Sequence, residues 1–434
     1  MHKPNVLYLH AHDAGRLISP YGFAMPTPNL RRLATEGTLF RQAFCCGPTC
    51  SPSRAALLAG QSPHACGMTG LAHRGWSLND YGRHIIHALR PAGYRSLLCG
   101  VQHIAAPGQI ERIGYDEIVP VETHRAADVA EAAERRIVTG LPEPFFLSVG
   151  CVEPHRPFPE PESDEAARFA CPPEPLPDAP ETRRDTAGLA VLAERFDAMV
   201  GRVLAALGAA GLAERTLVVC TTDHGPAFPT MKCNLTDGGL GVMLVLRGPG
   251  VPKAWSTDAL VSHLDLFPTL CEWLDIAPPA WLEGVSLGPL LRGEADEVRE
   301  AVFGEVSYHA AYEPQRSVRT TRWKYIRRYG DRLTPVLPNC DDGPTKDLFV
   351  ARGWAEQRLP REALYDLVFD PAERNNLAGD PAMRGVLGDM SRRLDGWMAE
   401  TDDPLLAGPV PAPSGAKVND PDGRSPGEPT RTVT

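Results

Sequence analysis

The chain alternates short apolar runs with longer amphipathic stretches. Asn5–Ala11 (NVLYLHA) is apolar almost throughout and predicts a strand buried on both faces; Phe145–Gly150 (FFLSVG) and residues 217–222 (LVVCTT) repeat the pattern. Elsewhere the apolar spacing is helical. Residues 27–36 predict a helix with Thr27 as N-cap and Pro28 at its first position, where a missing N–H costs nothing. Residues 53–58 predict a second helix directly after a Gly-Pro-Thr-Cys-Ser-Pro turn, and residues 189–210 a third. Strands alternating with helices indicate an α/β fold with a large, mostly parallel sheet covered by helices on both faces. Residues 154–180 hold nine prolines and predict an irregular surface loop. Beyond about residue 294 the texture changes. Residues 316–328 and 363–367 predict shorter amphipathic strands and residues 381–399 a closing helix, so 295–402 reads as a smaller α+β domain after a catalytic-sized domain, 1–294. Residues 403–434, rich in Pro, Gly and Asp, read as an extended tail with only its first part packed.

Composition narrows the class. In 434 residues, 43% hydrophobic, there is ample material for a full core, and no apolar run nears the roughly 18–20 residues of a membrane span. The first residues carry no charged, apolar and cleavage-site pattern of a secretory leader, so the expected location is cytoplasmic, with no membrane partner. The net charge of −10 argues against a nucleic-acid partner and means that an anionic substrate would need a local cluster of cations. Eleven cysteines, an odd number spread over a long chain, do not suggest a disulfide framework.

One of those cysteines stands just before the predicted second helix. Cys50 lies in a turn at a helix N-terminus, where negative charge is favoured, and Arg54 follows one helical turn later. A nucleophile backed by an arginine is suited to a tetrahedral anion, and on spacing alone a cysteine phosphatase stays open. The longer run Cys50-Ser-Pro-Ser-Arg54-Ala-Ala-Leu-Leu-Ala-Gly60, however, resembles the signature of the type I, formylglycine-dependent sulfatases of the alkaline-phosphatase-like superfamily. Further blocks follow in that family's order from about residue 5 to 403. Several of them, including 302–309 and 397–404, resemble the N-sulfoglucosamine sulfohydrolases within it.

The resemblance implies a hydrolase that cleaves a sulfate ester or sulfamate of a carbohydrate. It implies conversion of Cys50 to Cα-formylglycine by a formylglycine-generating enzyme, leaving ten cysteines as reduced thiols. It implies one divalent ion, Ca²⁺ by family habit, held by His12, Asp13, the converted Cys50, Asp223 and His224. Arg54 and Lys232 would bind sulfate oxygens. His103 would handle the formylglycine hydroxyl and His155 the leaving group, tasks that suit imidazole near neutral pH. His64 and His263 read as structural. Two positions depart from the family pattern. His12 stands where an aspartate is usual, which makes Mn²⁺ or Mg²⁺ credible, and Val101 stands where a lysine is usual. Arg16, in the loop after Asp13, is the expected replacement cation. A phosphonate monoester or phosphodiester hydrolase of the same superfamily is the alternative enzyme, and a non-catalytic binder of sulfated glycans is the alternative of another class. The sequence leaves the oligomeric state open.

Overall fold

The computed structural model describes residues 3–161 and 163–434. The strands are β1 (Asn5–Ala11), β2 (Thr38–Phe44), β3 (Arg95–Gly100), β4 (Glu117–Val119), β5 (Phe145–Gly150), β6 (Thr216–Thr222), β7 (Leu244–Arg247) and β8 (Trp255–Ser262), followed by β9 (Val302–Tyr308), β10 (Tyr312–Arg319), β11 (Trp323–Arg328), β12 (Glu362–Asp366), β13 (Lys417–Asn419) and β14 (Thr430–Thr432). The first eight form one sheet in the order β4-β3-β5-β1-β6-β7-β2-β8. Only β7 runs against its neighbours. β1 is apolar without interruption because both its faces are covered. Val6 and Tyr8 enter the core on one face, and Leu7, Leu9 and Ala11 enter the core on the other. Helices Ala126–Val138 and Pro180–Ala209 cover the second face, helices Cys50–Ala59 and Leu266–Trp273 the first. Among the described residues no helix is long and apolar enough to cross a membrane.

The helix expected at 189–210 begins at Pro180. Its first turns, Pro-Glu-Thr-Arg-Arg-Asp-Thr-Ala, lack apolar periodicity because polar bonds hold them. Asp185 takes both terminal nitrogens of Arg156 (3.1 and 2.8 Å), and Thr182 Oγ1 accepts from the Ala179 N–H (3.0 Å). The proline-rich stretch also contains a short helix, Asp164–Phe169.

β9–β12 form a second, antiparallel sheet in the order β12-β11-β10-β9. Val318, Tyr325 and Leu364 on one face pack on Met390, Leu394, Trp397 and Met398 of helix Arg384–Glu400. The other face meets the large sheet's loops, where Lys324 Nζ reaches Asp237 Oδ1 (2.9 Å) and the Leu235 carbonyl (3.0 Å). Arg316, fully buried, bonds Asp403 (2.5 Å) and stands 3.3 Å from Glu305, which in turn holds His64 at 2.6 Å. Removing the cation would strand two buried carboxylates. Arg316→Met is therefore expected to lower stability by about 3–5 kcal/mol. Thermal unfolding checks it; an unchanged apparent Tm would show that the cluster holds nothing together.

Residues 403–434 pack further than their composition suggests. β13 and β14 pair as a hairpin, Ala416 and Val418 join the main core, and Asn419 is buried and accepts from Arg74 (2.7 Å). Few apolar residues suffice here because the hairpin lies on a surface already built by others.

Candidate active site

The parallel strands of the large sheet deliver their following loops to one edge. β1 and β6 are neighbours with Ala11 opposite Thr222, so His12-Asp13 and Asp223-His224 emerge side by side. His103 follows β3 and His155 follows β5. β3 and β5 lie very close where they end: a side chain on Gly100, which has φ +91°, would meet the Gly150 carbonyl oxygen at 2.1 Å. Only glycine fits there. Asp13 (φ 44°) and His103 (φ 56°) are also left-handed, an uncommon conformation for residues with side chains and one that concentrates at functional sites.

Cys50 enters from the opposite side as the first residue of helix Cys50–Ala59. The Gly47-Pro48-Thr49 turn ends in extended Thr49, and left-handed Gly60 closes the helix, all of whose residues are buried. The side chains of His12, His103, His155, His224 and His309 lie against that of Cys50. Ligand-type atoms of His12, Asp13, Cys50 and Asp223 all lie within 4.8 Å of one another. Lys232 Nζ lies 2.8 Å from Asp13 Oδ2 and 3.3 Å from His155 Nε2. The predicted catalytic and metal-binding residues thus converge.

The terminal nitrogens of Arg54 reach Asp223 Oδ2 (3.0 Å), the Ala11 carbonyl (2.8 Å) and His10 Nδ1 (2.6 Å), so it braces the ends of β1 and β6, while its Nε is buried without a partner. One expectation changes. Arg16 does not enter the site. The chain turns sharply after left-handed Asp13 and Gly15, and the guanidinium lies over Phe44 (4.9 Å to the ring centroid), 3.7 Å from Asp237. His64 pairs with Glu305, and His263 with Thr221 Oγ1 (2.9 Å), as structural residues do.

Two further side chains come from the second sheet's region. His309, just past β9, faces Cys50, and Asp341 lies 2.8 Å from Lys232 Nζ. No spacing marks them, because their position depends on how the two sheets dock. Asn339 ties them together: its Oδ1 accepts from the Ala310 and Ala311 N–H groups (2.9 and 2.8 Å), and its Nδ2 donates to Glu313 (2.9 Å).

Electrostatics separates Cys50 from the other buried cysteines. Burial would raise its thiol, but Lys232 and the adjoining imidazoles of His103, His12 and His155 outweigh burial and hold it well below the usual range. At every other buried cysteine the thiol is pushed up, burial being the main cause. All eleven are free, as expected, although Cys171 is exposed. Burial and Arg54 work against charge on His12, yet the nearby carboxylates of Asp223 (3.1 Å from Nδ1) and Asp13 (3.7 Å) raise it to about 10. Asp223 and Asp13 likewise raise His224 to about 9 against burial. Burial, by contrast, lowers His103 to about 4.

Glu313 lies just behind the reaction centre. Burial raises its carboxyl to about 7, against Asn339, Arg328 and Arg332, which lower it. A raised acid favours folding below its unfolded pKa, and that stability is lost as pH rises from about 4.5 through about 7. Glu313→Gln should therefore lose less apparent Tm than the wild-type chain between pH 5 and pH 8. A constant difference between the two across that range would contradict the assignment.

The family model described as sulfatase matches residues 4–276, well over half of the chain. The chain belongs to the sulfatase family. A second model, described as the C-terminal region of N-sulphoglucosamine sulphohydrolase, matches residues 232–345 of this sulfatase, the part that carries Lys232, His309 and Asp341. Human N-sulphoglucosamine sulphohydrolase is 30% identical, the alignment covering 93% of this chain and 92% of the human one. A solved 2-O GAG sulfatase superposes with a TM-score of 0.71 at 22% identity, covering 95% of each chain. The phosphonate monoester hydrolase of Silicibacter pomeroyi superposes with a TM-score of 0.69 at 20% identity, covering 93% of this chain and 97% of that one. At these identities both structures speak for the fold alone.

Proposed function

We propose that this sulfatase hydrolyses a sulfate ester or sulfamate on a carbohydrate, using a formylglycine made from Cys50 and one divalent cation. The observation that carries the reading is the Cys50 side chain itself, held in the Cys-Ser-Pro-Ser-Arg sequence among five histidines, Lys232 and two aspartates. Similarity to the human N-sulphoglucosamine enzyme over nearly the whole chain supports a sulfated amino sugar as substrate. In this reading residues 1–294 carry most of the machinery, and 295–402 contribute His309 and Asp341 to its wall.

The donor chemistry fits a cation. Asp13 Oδ1, both His12 ring nitrogens and His224 Nε2 are buried without hydrogen-bond partners, and His224 Nε2 stands 3.3 Å from Asp13 Oδ1. His224 Nδ1 is 2.8 Å from the Gly225 carbonyl, which fixes the proton there and turns Nε2 inward. His12, Asp13, Asp223 and His224 would hold the ion. Two imidazoles with two carboxylates favour Mn²⁺ or a similar borderline ion over Ca²⁺, which prefers oxygen alone. The ion would supply positive charge to the sulfate oxygens, and the hydrated formylglycine a hydroxyl nucleophile with a second hydroxyl for expelling sulfate.

The chain's own groups do the rest. Arg54 holds Asp223 and the end of β1 in place. Lys232, fixed between Asp13 and Asp341, presents its ammonium to the sulfate and leaving-group oxygen or nitrogen. His155 is partly exposed at the mouth and can pass a proton to the departing alcohol or amine. His103, whose side chain lies by Cys50 and whose Nδ1 is buried without a partner, would take a proton from a hydroxyl at position 50.

The test is mass spectrometry of the Cys50 peptide after coexpression with a formylglycine-generating enzyme, together with metal analysis. An aldehyde and one equivalent of metal are expected; a thiol throughout would overturn the mechanism. Chelation should abolish turnover and lower the apparent Tm, since a bound ion stabilises the native state alone. Either quantity surviving metal removal would count against the ligand set. Comparing an N-sulfated glucosamine with a phenyl phosphonate tests the second reading, which the shared fold and the histidine at position 12 keep in play.

A further inference from the structure

In the chain as it is made, Cys50 is a thiol standing with two imidazoles. One ligand atom from each of His12, Cys50 and His103 lies within 4.8 Å of the others. The two rings meet edge to face, their centroids 4.6 Å apart. His12 is fully buried with neither ring nitrogen hydrogen-bonded, and the buried Nδ1 of His103 has no partner either. Buried polar atoms are almost always satisfied, so orphaned imidazole nitrogens beside a thiol mark a place for an ion. His103 is not a ligand of the catalytic ion, so this trio is a separate set.

The donor types choose the ion. One sulfur with two imidazole nitrogens suits Zn²⁺, whose bonds of about 2.0–2.3 Å would need only small shifts from atoms this close. Mn²⁺, Mg²⁺ and Ca²⁺ favour oxygen and gain little from sulfur. Asp13 or Asp223, both buried and within 4.8 Å of His12 and Cys50, can complete a tetrahedron. Charge points the same way. With neutral imidazoles, the Cys50 thiolate and the carboxylates of Asp13, Asp223 and Asp341 face only the cations Lys232 and Arg54. A dication cancels that excess of negative charge. Beside an uncharged aldehyde hydrate the same dication leaves positive charge over, which suits an anionic substrate.

We propose that the thiol form of this chain binds Zn²⁺ through Cys50, His103 and His12, and that conversion of Cys50 removes the sulfur ligand and hands the site to a harder ion. On binding, a Zn–S bond replaces the S–H bond, the proton leaves to solvent, and nothing is oxidised. Only the exchange of ions rests on the formylglycine reading above; the zinc site does not.

Co²⁺ titration of full-length protein made without a formylglycine-generating enzyme tests the site, because cobalt bound to thiolate absorbs strongly in the near ultraviolet by sulfur-to-metal charge transfer. The band is expected to saturate at one equivalent, to vanish when Zn²⁺ is added, and to be absent from Cys50→Ser. His103→Asn keeps a residue that tolerates the left-handed backbone at this position. It should weaken Zn²⁺ binding to the thiol form by at least about tenfold and leave Mn²⁺ binding to the converted form within about twofold. The preference for Zn²⁺ over Mn²⁺ should be at least about tenfold greater in the thiol form than in the converted form. No band, a band that persists in Cys50→Ser, Zn²⁺ affinity indifferent to His103→Asn, or equal selectivity in the two forms overturns the proposal. If Cys50 never becomes an aldehyde but the band appears, the formylglycine reading falls and the zinc site stands. If converted protein releases sulfate while its thiol form gives no band, the zinc site falls and the sulfatase reading stands.

Discussion

Cys50→Ser protein is expected to turn over sulfated substrate at least about 10⁴-fold more slowly than converted wild type, a loss of about 5 kcal/mol in transition-state stabilisation. A serine hydroxyl fits the space, since Cys50 sits among histidines and Lys232 in a polar pocket, so the fold and the metal content should survive. In the proposed formylglycine mechanism, what disappears is the second hydroxyl. A serine that had accepted the sulfate would have no neighbouring hydroxyl to expel it, and the protein would stop after one turnover at most. Single-turnover and steady-state rates on the same preparation check this. Steady-state turnover within tenfold of wild type would mean that the nucleophile lies elsewhere.

Lys232→Met should fail in two ways. The ammonium is buried, 2.8 Å from both Asp13 and Asp341, and burial opposes its charge while those carboxylates and Cys50 keep its pKa well above the ordinary value. Without it Asp13 and the half-buried Asp341 lose the cation between them. Metal-free protein should lose about 3–5 kcal/mol of stability, seen as a drop in apparent Tm. Turnover should fall by about 10²–10³, the usual cost of removing one preorganised charge from a transition state. Lys232→Arg would recover stability better than activity, because guanidinium restores the charge but not the compact geometry. Activity within tenfold of wild type in Lys232→Met would remove Lys232 from the sulfate site.

Much of this was legible in the residues. The runs at Asn5–Ala11, Phe145–Gly150 and 217–222 became central parallel strands because each needs apolar cover on both faces, a demand written in consecutive positions. His12-Asp13, His155 and Asp223-His224 followed those strands, His103 followed β3, which no run had marked, and the strand ends met. Where reading failed, the cause was non-local. Arg16 shares a loop with Asp13, yet two left-handed residues turn it toward Phe44 and Asp237. The first turns of helix Pro180–Ala209 show no periodicity because Arg156, far away in the chain, neutralises Asp185.

Local pattern thus determined that the protein is an α/β molecule, that its chemistry gathers at one sheet edge, and that Cys50 is the cysteine apart. Those properties depend on neighbours within a strand or a helical turn. Tertiary structure alone decided that Arg54 braces Asp223, that His309 and Asp341 come up beside Cys50 and Lys232, and that Arg316 is buried between Asp403 and Glu305. Each of these is a contact between segments far apart in the chain, whose partners are chosen by how the two sheets pack and by which buried charges must find an opposite.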